Sequence, residues 1–299
     1  MLGAGRGVLV GHWTDEKACT GCTVVVFPEG TTASGEIRGG APATRDFALL
    51  APERTVTRLD AVVMSGGSAF GLAAADGVMR WCEEQDRGFE TRGGRVPIVV
   101  GISLYDLTEG DGSVRPGPDA GYAAARSAAD ALGALGRVGA GAGATMDKWR
   151  GAERRKAGGL GNALLQVGDV LVGALVAVNA AGEVNSGAVQ QALADGAYEH
   201  QPAYAFAGPE GGEAHTSTTI GVVATNAALD KPDCFRVARS GHSGMARALL
   251  PVHTDSDGDA LVAAATGAVK ADIGLVRLMA AAAVEAAIRS VATPAATNH

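Results

Sequence analysis

The sequence predicts an α/β protein. Three observations carry this: short Val-rich runs bounded by Gly, Pro or Asn, longer Ala-rich stretches spotted with Asp and Arg, and an interior with few aromatic rings. Apolar residues make up 47% of the chain and aromatics only 4%, so Ala, Val, Leu and Ile must fill the core, and 44 glycines foretell tight turns and close backbone approaches. At 299 residues the length suits one large domain or two.

The first strand signals come early. Gly7-Val-Leu-Val-Gly-His-Trp13 is a short apolar run, and Cys22-Thr-Val-Val-Val-Phe27 reads as a strand closed by Pro28-Glu-Gly30. Arg38-Gly-Gly-Ala-Pro-Ala-Thr-Arg45 is a Gly- and Pro-rich loop whose two arginines suit either a solvated surface turn or carboxylate binding. Leu59-Asp-Ala-Val-Val-Met64 is the next strand. Ser65-Gly-Gly-Ser-Ala-Phe-Gly71 then leads into an Ala-rich helix reaching about Glu84. Strand, glycine turn and helix also build phosphate cradles, but the Lys-Ser/Thr ending of a P-loop is missing, so helix-on-sheet packing is expected.

Val96-Pro-Ile-Val-Val100 is a strand candidate that delivers Tyr105 and Asp106 to its far end. Residues 116–132 carry an amphipathic helix pattern beginning near Pro118. The repeated glycines of Gly136-Arg-Val-Gly-Ala-Gly-Ala-Gly-Ala-Thr145 lack a preceding strand and a following long helix. They fit close backbone approach to a substrate better than a dinucleotide site, with Lys148 projecting into the site; taken alone, Lys148 reads as a solvated surface charge. Asp169-Val-Leu-Val-Gly-Ala-Leu-Val-Ala-Val-Asn179 is a long strand whose last side chain, Asn179, is suited to an oxyanion hole or to a turn. Residues 183–217 lack periodicity and read as a long, exposed, mobile connection.

The stretch His215-Thr-Ser-Thr-Thr-Ile-Gly-Val-Val-Ala-Thr225 organises the rest. Polar residues run into a β-branched strand, just after the turn-rich Gly208-Pro-Glu-Gly-Gly-Glu213. Attack of the Thr218 hydroxyl on the Ser217 carbonyl would shift the acyl group from nitrogen to oxygen, and water would then release a Thr218 amine. With an ordinary pKa of about 7.7–8.0, that amine can activate its own hydroxyl near neutral pH. A polar lead-in to a strand is the plainer alternative.

Residues 231–250 read as a helix containing His242, weakened at Gly241 and Gly244. Pro251-Val-His-Thr-Asp-Ser-Asp-Gly-Asp259 then sets Asp257 and Asp259 either side of a glycine, ahead of the strand Ala260-Leu-Val-Ala-Ala-Ala265. A Ca²⁺ loop is a rival reading of this turn, although the closing Glu of an EF-hand is missing. A helix over residues 271–291 ends the chain.

Several classes are set aside. Net charge is −7 with no basic run, so no nucleic-acid surface is expected. The most apolar stretch, near Leu278-Met-Ala-Ala-Ala-Ala-Val284, is too short for a bilayer, so no membrane partner is expected. Met1-Leu-Gly-Ala-Gly-Arg6 is unlike a signal peptide. Cysteines at 19, 22, 82 and 234 are too sparse for a disulfide framework, and the lone Cys-x-x-Cys lacks a partner pair for zinc. A reducing cytoplasm and no cofactor or metal are expected.

These pieces, taken in order, resemble the DmpA/NylC family of self-processing aminopeptidases and nylon-oligomer hydrolases over nearly the whole chain. The resemblance rests on Gly7-Val-Leu-Val-Gly-His12, Arg38-Gly-Gly-Ala-Pro-Ala-Thr44, Ser65-Gly-Gly-Ser-Ala-Phe-Gly-Leu72, Val96-Pro-Ile-Val99, Gly141-Ala-Gly-Ala-Thr145 with Lys148, Thr218-Thr-Ile-Gly-Val-Val-Ala-Thr225, and Pro251-Val-His-Thr254 with Asp257-Gly-Asp259. It implies a four-layer αββα sandwich of the N-terminal-nucleophile type, one domain cut into residues 1–217 and 218–299. It also implies a homo-oligomer, expected as a tetramer, acting on small peptides or amides.

Carried over by position, Thr218 is the nucleophile. Asp259 holds its amine and hydroxyl in register, Asp257 supports Asp259, Lys148 keeps the carboxylates ionised, Asn179 is the oxyanion donor, and Tyr105 bonds substrate or leaving amine. Asp-Gly-Asp is similar to the nylon-oligomer hydrolase branch. Ser217 departs from relatives that mostly carry Asn or Gly there. The implied activity is amide hydrolysis through an acyl-enzyme. An acyltransferase of the ornithine acetyltransferase kind, passing the acyl group to an amine, and an uncleaved binding protein are the alternatives; neither α-peptide, β-peptide nor synthetic oligomer is singled out as substrate.

Overall fold

The structure is a computed structural model that describes residues 7–130, 133–149, 154–197 and 217–292. Two five-stranded sheets form its centre. The first runs in the order Leu9–Asp15, Thr20–Val26, Ala61–Ser65, Val99–Ser103, Ala43–Arg45; the second runs Gly159–Val167, Val170–Asn179, Thr218–Ala227, Ala260–Val269, Thr32–Ile37.

Three apolar clusters show why four layers stack. Val25, Met64, Val100 and Ile102 of the first sheet meet Leu175, Ile220, Val222 and Val262 of the second, forming the layer between the sheets. Alternation along each strand sends the other residues outward. Val24, Val63 and Val99 face the helices Ala74–Glu84 and Pro118–Arg126, through Val78 and Ala124. On the opposite side, Val176, Val223 and Ala263 face Lys231–Ala248 and Ile273–Ala292, through Val237, Met245, Val284 and Ile288. The architecture is the αββα sandwich, and its central strands are Val-rich because both of their faces are buried.

The small side chains have a packing reason. A Cβ on Gly244 would stand 2.0 Å from the Ala281 carbonyl oxygen, so this glycine lets the two long helices touch backbone to backbone. That contact outweighs the helix-propensity penalty that made the segment look weak. Among the described residues, no helix is long and apolar enough to cross a membrane.

Several boundaries differ from the sequence expectation. The helix expected over 116–132 ends at Arg126. Beyond it, Ala129 exchanges backbone hydrogen bonds with Val10, extending the first sheet's edge instead of the helix. Pro97 has no N–H for a ladder, so the strand begins at Val99, while Gly94–Val96 pairs with Phe89–Thr91 in a separate hairpin. Strands Thr32–Ile37 and Gly159–Val167 were not anticipated; both have glycines and polar residues interrupting the β-branched pattern. The expected connection over 183–217 contains a short strand, Glu183–Val184, and a helix, Ala188–Ala194. Its remainder, with the Gly208 to Glu213 loop and His215, lies outside the described residues.

Candidate active site

Strand register brings the predicted residues together. Thr218 opens its strand opposite Asn179 in the antiparallel ladder, and two residues later Ile220 pairs with Ala260 in the parallel one. The end of one strand and the starts of two others therefore meet, and Asp259 sits just ahead of Ala260. Asn179, Thr218, Asp257, Asp259 and Lys148 are all buried.

The peptide between Ser217 and Thr218 is tightly held. Thr218 Oγ1–H donates to the Ser217 carbonyl oxygen at 2.5 Å, and the Gly258 N–H donates to the same oxygen at 3.0 Å. The Ser217 N–H in turn donates to the Ser256 carbonyl at 3.2 Å, so both polar ends of Ser217 are tied to the Asp257 loop. A hydroxyl next to a carbonyl already polarised by a backbone donor is what an intramolecular acyl shift needs.

Two loops carry the charges. The Lys148 segment is fixed by backbone bonds from Asp147 N to Gly182 O and from Lys148 N to Ala181 O, both at 2.9 Å. Lys148 Nζ donates to Asn179 Oδ1 at 3.0 Å, and that oxygen also accepts from the Thr145 amide at 2.9 Å. Burial pulls the Lys148 ammonium down to about 8, with the Asp257 charge opposing the fall. Asn179 Nδ2 donates to the Tyr105 carbonyl at 2.9 Å, which leaves its second amide hydrogen as the one available to an oxyanion. Tyr105 thus meets the site through its backbone, and among the described residues its hydroxyl bonds none of the predicted site residues.

The carboxylates are equally committed. Asp257 Oδ2 accepts from the Thr254 amide at 2.9 Å and the Thr254 hydroxyl at 2.7 Å, while Oδ1 accepts from the Ala181 amide at 3.4 Å. Burial, and then the charge of Asp259, raise the Asp257 carboxyl to about 6. Asp259 Oδ1 accepts from the amide of Thr219, not from Thr218, at 2.6 Å. Its Oδ2 faces His253, with Nδ1 at 2.7 Å and the backbone N at 3.2 Å.

The chain matches Peptidase family S58 over residues 6–297. It belongs to that family. A Mycobacterium leprae protein named as an uncharacterised aminopeptidase is 42% identical over 289 residues, covering 89% of this chain and 78% of the relative. A 6-aminohexanoate-oligomer endohydrolase of Paenarthrobacter ureafaciens is 31% identical over 277 residues, covering 87% of this chain and 73% of the relative. Among solved structures, a Burkholderia sp. β-aminopeptidase superposes with TM-score 0.69 at 22% identity, over 95% of this chain and 84% of that one. The L-aminopeptidase D-Ala-esterase/amidase of Ochrobactrum anthropi, described as a variant of the Ntn hydrolase fold, superposes with TM-score 0.70 at 19% identity, over 95% and 83%. This S58 chain is therefore a peptidase-class hydrolase of amide bonds, with the Ntn-type sandwich.

Three parts of the candidate site are not legible in the sequence. The Gly258 amide is invisible in a search for functional side chains. The Arg38 to Arg45 loop proves to be a clamp: its backbone donates from Arg38 to Asp259 O at 2.7 Å and from Ala41 to Asp257 O at 2.9 Å. Its arginines pair elsewhere, Arg38 with Glu36 and Arg45 with Asp76. His253, read only as part of a motif, is the third. Its signal was its spacing from Asp259 within a loop that must fold back on itself.

The rival ligand sites dissolve on inspection. The glycine turn after Ser65 is filled by the protein's own carboxylate: Gly67 N–H and Thr20 Oγ1–H donate to Asp106 at 2.7 and 2.8 Å. In the Asp-rich turn, Asp257 and Asp259 are aimed at N–H and O–H donors rather than arranged as a cation cage. Cys22 is buried, its thiol pushed up to about 12, and no group of three metal-binding side chains gathers among the described residues.

Proposed function

We propose that the chain cleaves itself between Ser217 and Thr218, and that the freed Thr218 is the nucleophile of an amide hydrolase releasing N-terminal residues or cutting small amide oligomers. Thr218 Oγ attacks the Ser217 carbonyl carbon; the C–N bond breaks as the nitrogen takes a proton, leaving an ester. Water hydrolyses that ester to a Ser217 carboxylate and a Thr218 amine. The contact that carries this reading is the Thr218 hydroxyl against the Ser217 carbonyl, with the Gly258 amide bound to the same oxygen.

In turnover, the amine takes the Thr218 Oγ proton as Oγ attacks the substrate carbonyl, then gives it to the leaving amine. Water completes the cycle by hydrolysing the acyl-enzyme. The Gly258 amide and the second Asn179 hydrogen stabilise the oxyanion, each by an effect of roughly 2.7–4 kcal/mol in comparable sites. Asp259 fixes the strand through Thr219, and Lys148 offsets the negative charge of Asp257. The aminopeptidase and oligomer-hydrolase names of the relatives support the substrate class. Wild type and Thr218→Ala assayed on amino-acid amides and 6-aminohexanoate oligomers provide the test; equal rates from the two proteins would refute it.

A further inference from the structure

We propose that His253 is the positioning residue of Asp259, holding that carboxylate aligned beneath the Thr218 strand. His253 Nδ1 lies 2.7 Å from Asp259 Oδ2, and the His253 backbone N–H reaches the same oxygen at 3.2 Å. The other carboxylate oxygen takes the Thr219 amide at 2.6 Å. Asp259 is thus a rigid bridge from His253 to the residue next to the nucleophile. His253 holds a left-handed backbone, φ +56°, an uncommon conformation for a non-glycine residue. That conformation serves to aim both of its donors at one oxygen.

The tautomer follows from the partners. An ionised carboxylate only accepts, so His253 Nδ1 carries the hydrogen and Nε2 is bare. His253 Nε2 is buried without a hydrogen-bond partner among the described residues. Beside it lies the His242 ring, 4.9 Å away between centroids and edge-on. His242 Nε2 donates to the Glu36 carbonyl at 3.0 Å, and burial pulls its pKa down to about 3, so it stays neutral. The charged groups around the pair are Asp257 on the same loop, Lys148 across the site, and Glu36 with Arg38 and Arg239 beyond His242. Among the described residues, His253 is therefore the side chain hydrogen-bonded to Asp259.

The inference rests on the Thr218 reading, and self-cleavage is the cleaner readout because no Thr218 amine yet titrates. Cell-free-synthesised precursors of wild type, His253→Ala and His253→Asn are followed by electrophoresis at pH 8. Asn tolerates the left-handed backbone and supplies an uncharged N–H donor. His253→Ala is expected to cleave about 10–100-fold more slowly at pH 8. His253→Asn should recover the pH 8 rate to within a few-fold. Equal slowing of both variants would overturn the proposal. In parallel, ¹⁵N imidazole shifts of full-length Thr218→Ala should show His253 protonated at Nδ1 and bare at Nε2 near pH 7. The opposite tautomer overturns the proposal even where every precursor stays uncut, an outcome that counts against the Thr218 reading alone.

Discussion

The Gly258 amide binds the Ser217 carbonyl oxygen at 3.0 Å, on the same oxygen that the Thr218 hydroxyl approaches. Gly258 has no room for a side chain: a Cβ there would stand 2.5 Å from the Ala41 carbonyl oxygen and 2.9 Å from Thr218 Oγ1. Gly258→Ala must therefore shift either the clamp loop or the nucleophile. Self-cleavage is expected to slow by roughly 10²-fold, since displacements near 1 Å cost about that much. The conversion rate of the full-length band measures it, and an unchanged rate would remove Gly258 from the site.

Lys148→Met separates chemistry from folding. Met fills similar volume without a buried charge, a replacement that is often neutral or stabilising, although Asn179 Oδ1 loses one donor. Melting temperature should change by only a few degrees while kcat/KM on an amide substrate falls about 10²-fold or more. A large drop in stability with activity retained would contradict the assigned role.

Stability should depend on pH in a direction fixed by Asp257. Its carboxyl is raised to about 6 in the fold from its ordinary value of 3.8. The native state thus binds more protons than the unfolded chain between those values, so stability falls as pH rises across that window. Lys148 acts in the alkaline range: its native value of about 8 lies below 10.5, so stability recovers as pH rises between them. Urea unfolding of Thr218→Ala should show both slopes. Adding Asp257→Asn should flatten the acid one, which is of order 1–3 kcal/mol in total.

Much of this arrangement was legible in the sequence because the chemistry sits at strand ends. The run from Asp169 to Asn179 and the strand after Thr218 are long and β-branched, and their termini are residues of the candidate site. Asp257-Gly-Asp259 announces itself as two acids before a strand. The hidden parts act through backbone or through burial of small residues. Thr32–Ile37, which carries the clamp loop to the acid turn, is Thr-Ala-Ser-Gly-Glu-Ile and has little strand character alone. It becomes a strand because Ala260–Val269 supplies its ladder partner. Tyr105 shows the same limit of side-chain reading. The residue is in place, but the atom that meets Asn179 is its carbonyl oxygen, which every residue type possesses.

Intact-mass spectrometry of purified wild-type protein, with N-terminal sequencing of the smaller species, tests the central claim most directly. The account predicts two chains, residues 1–217 and 218–299, the second beginning Thr-Thr-Ile-Gly, and one uncut 299-residue chain in Thr218→Ala. A wild-type chain that remains whole yet hydrolyses amides, or a cut at another bond that persists in Thr218→Ala, would contradict it.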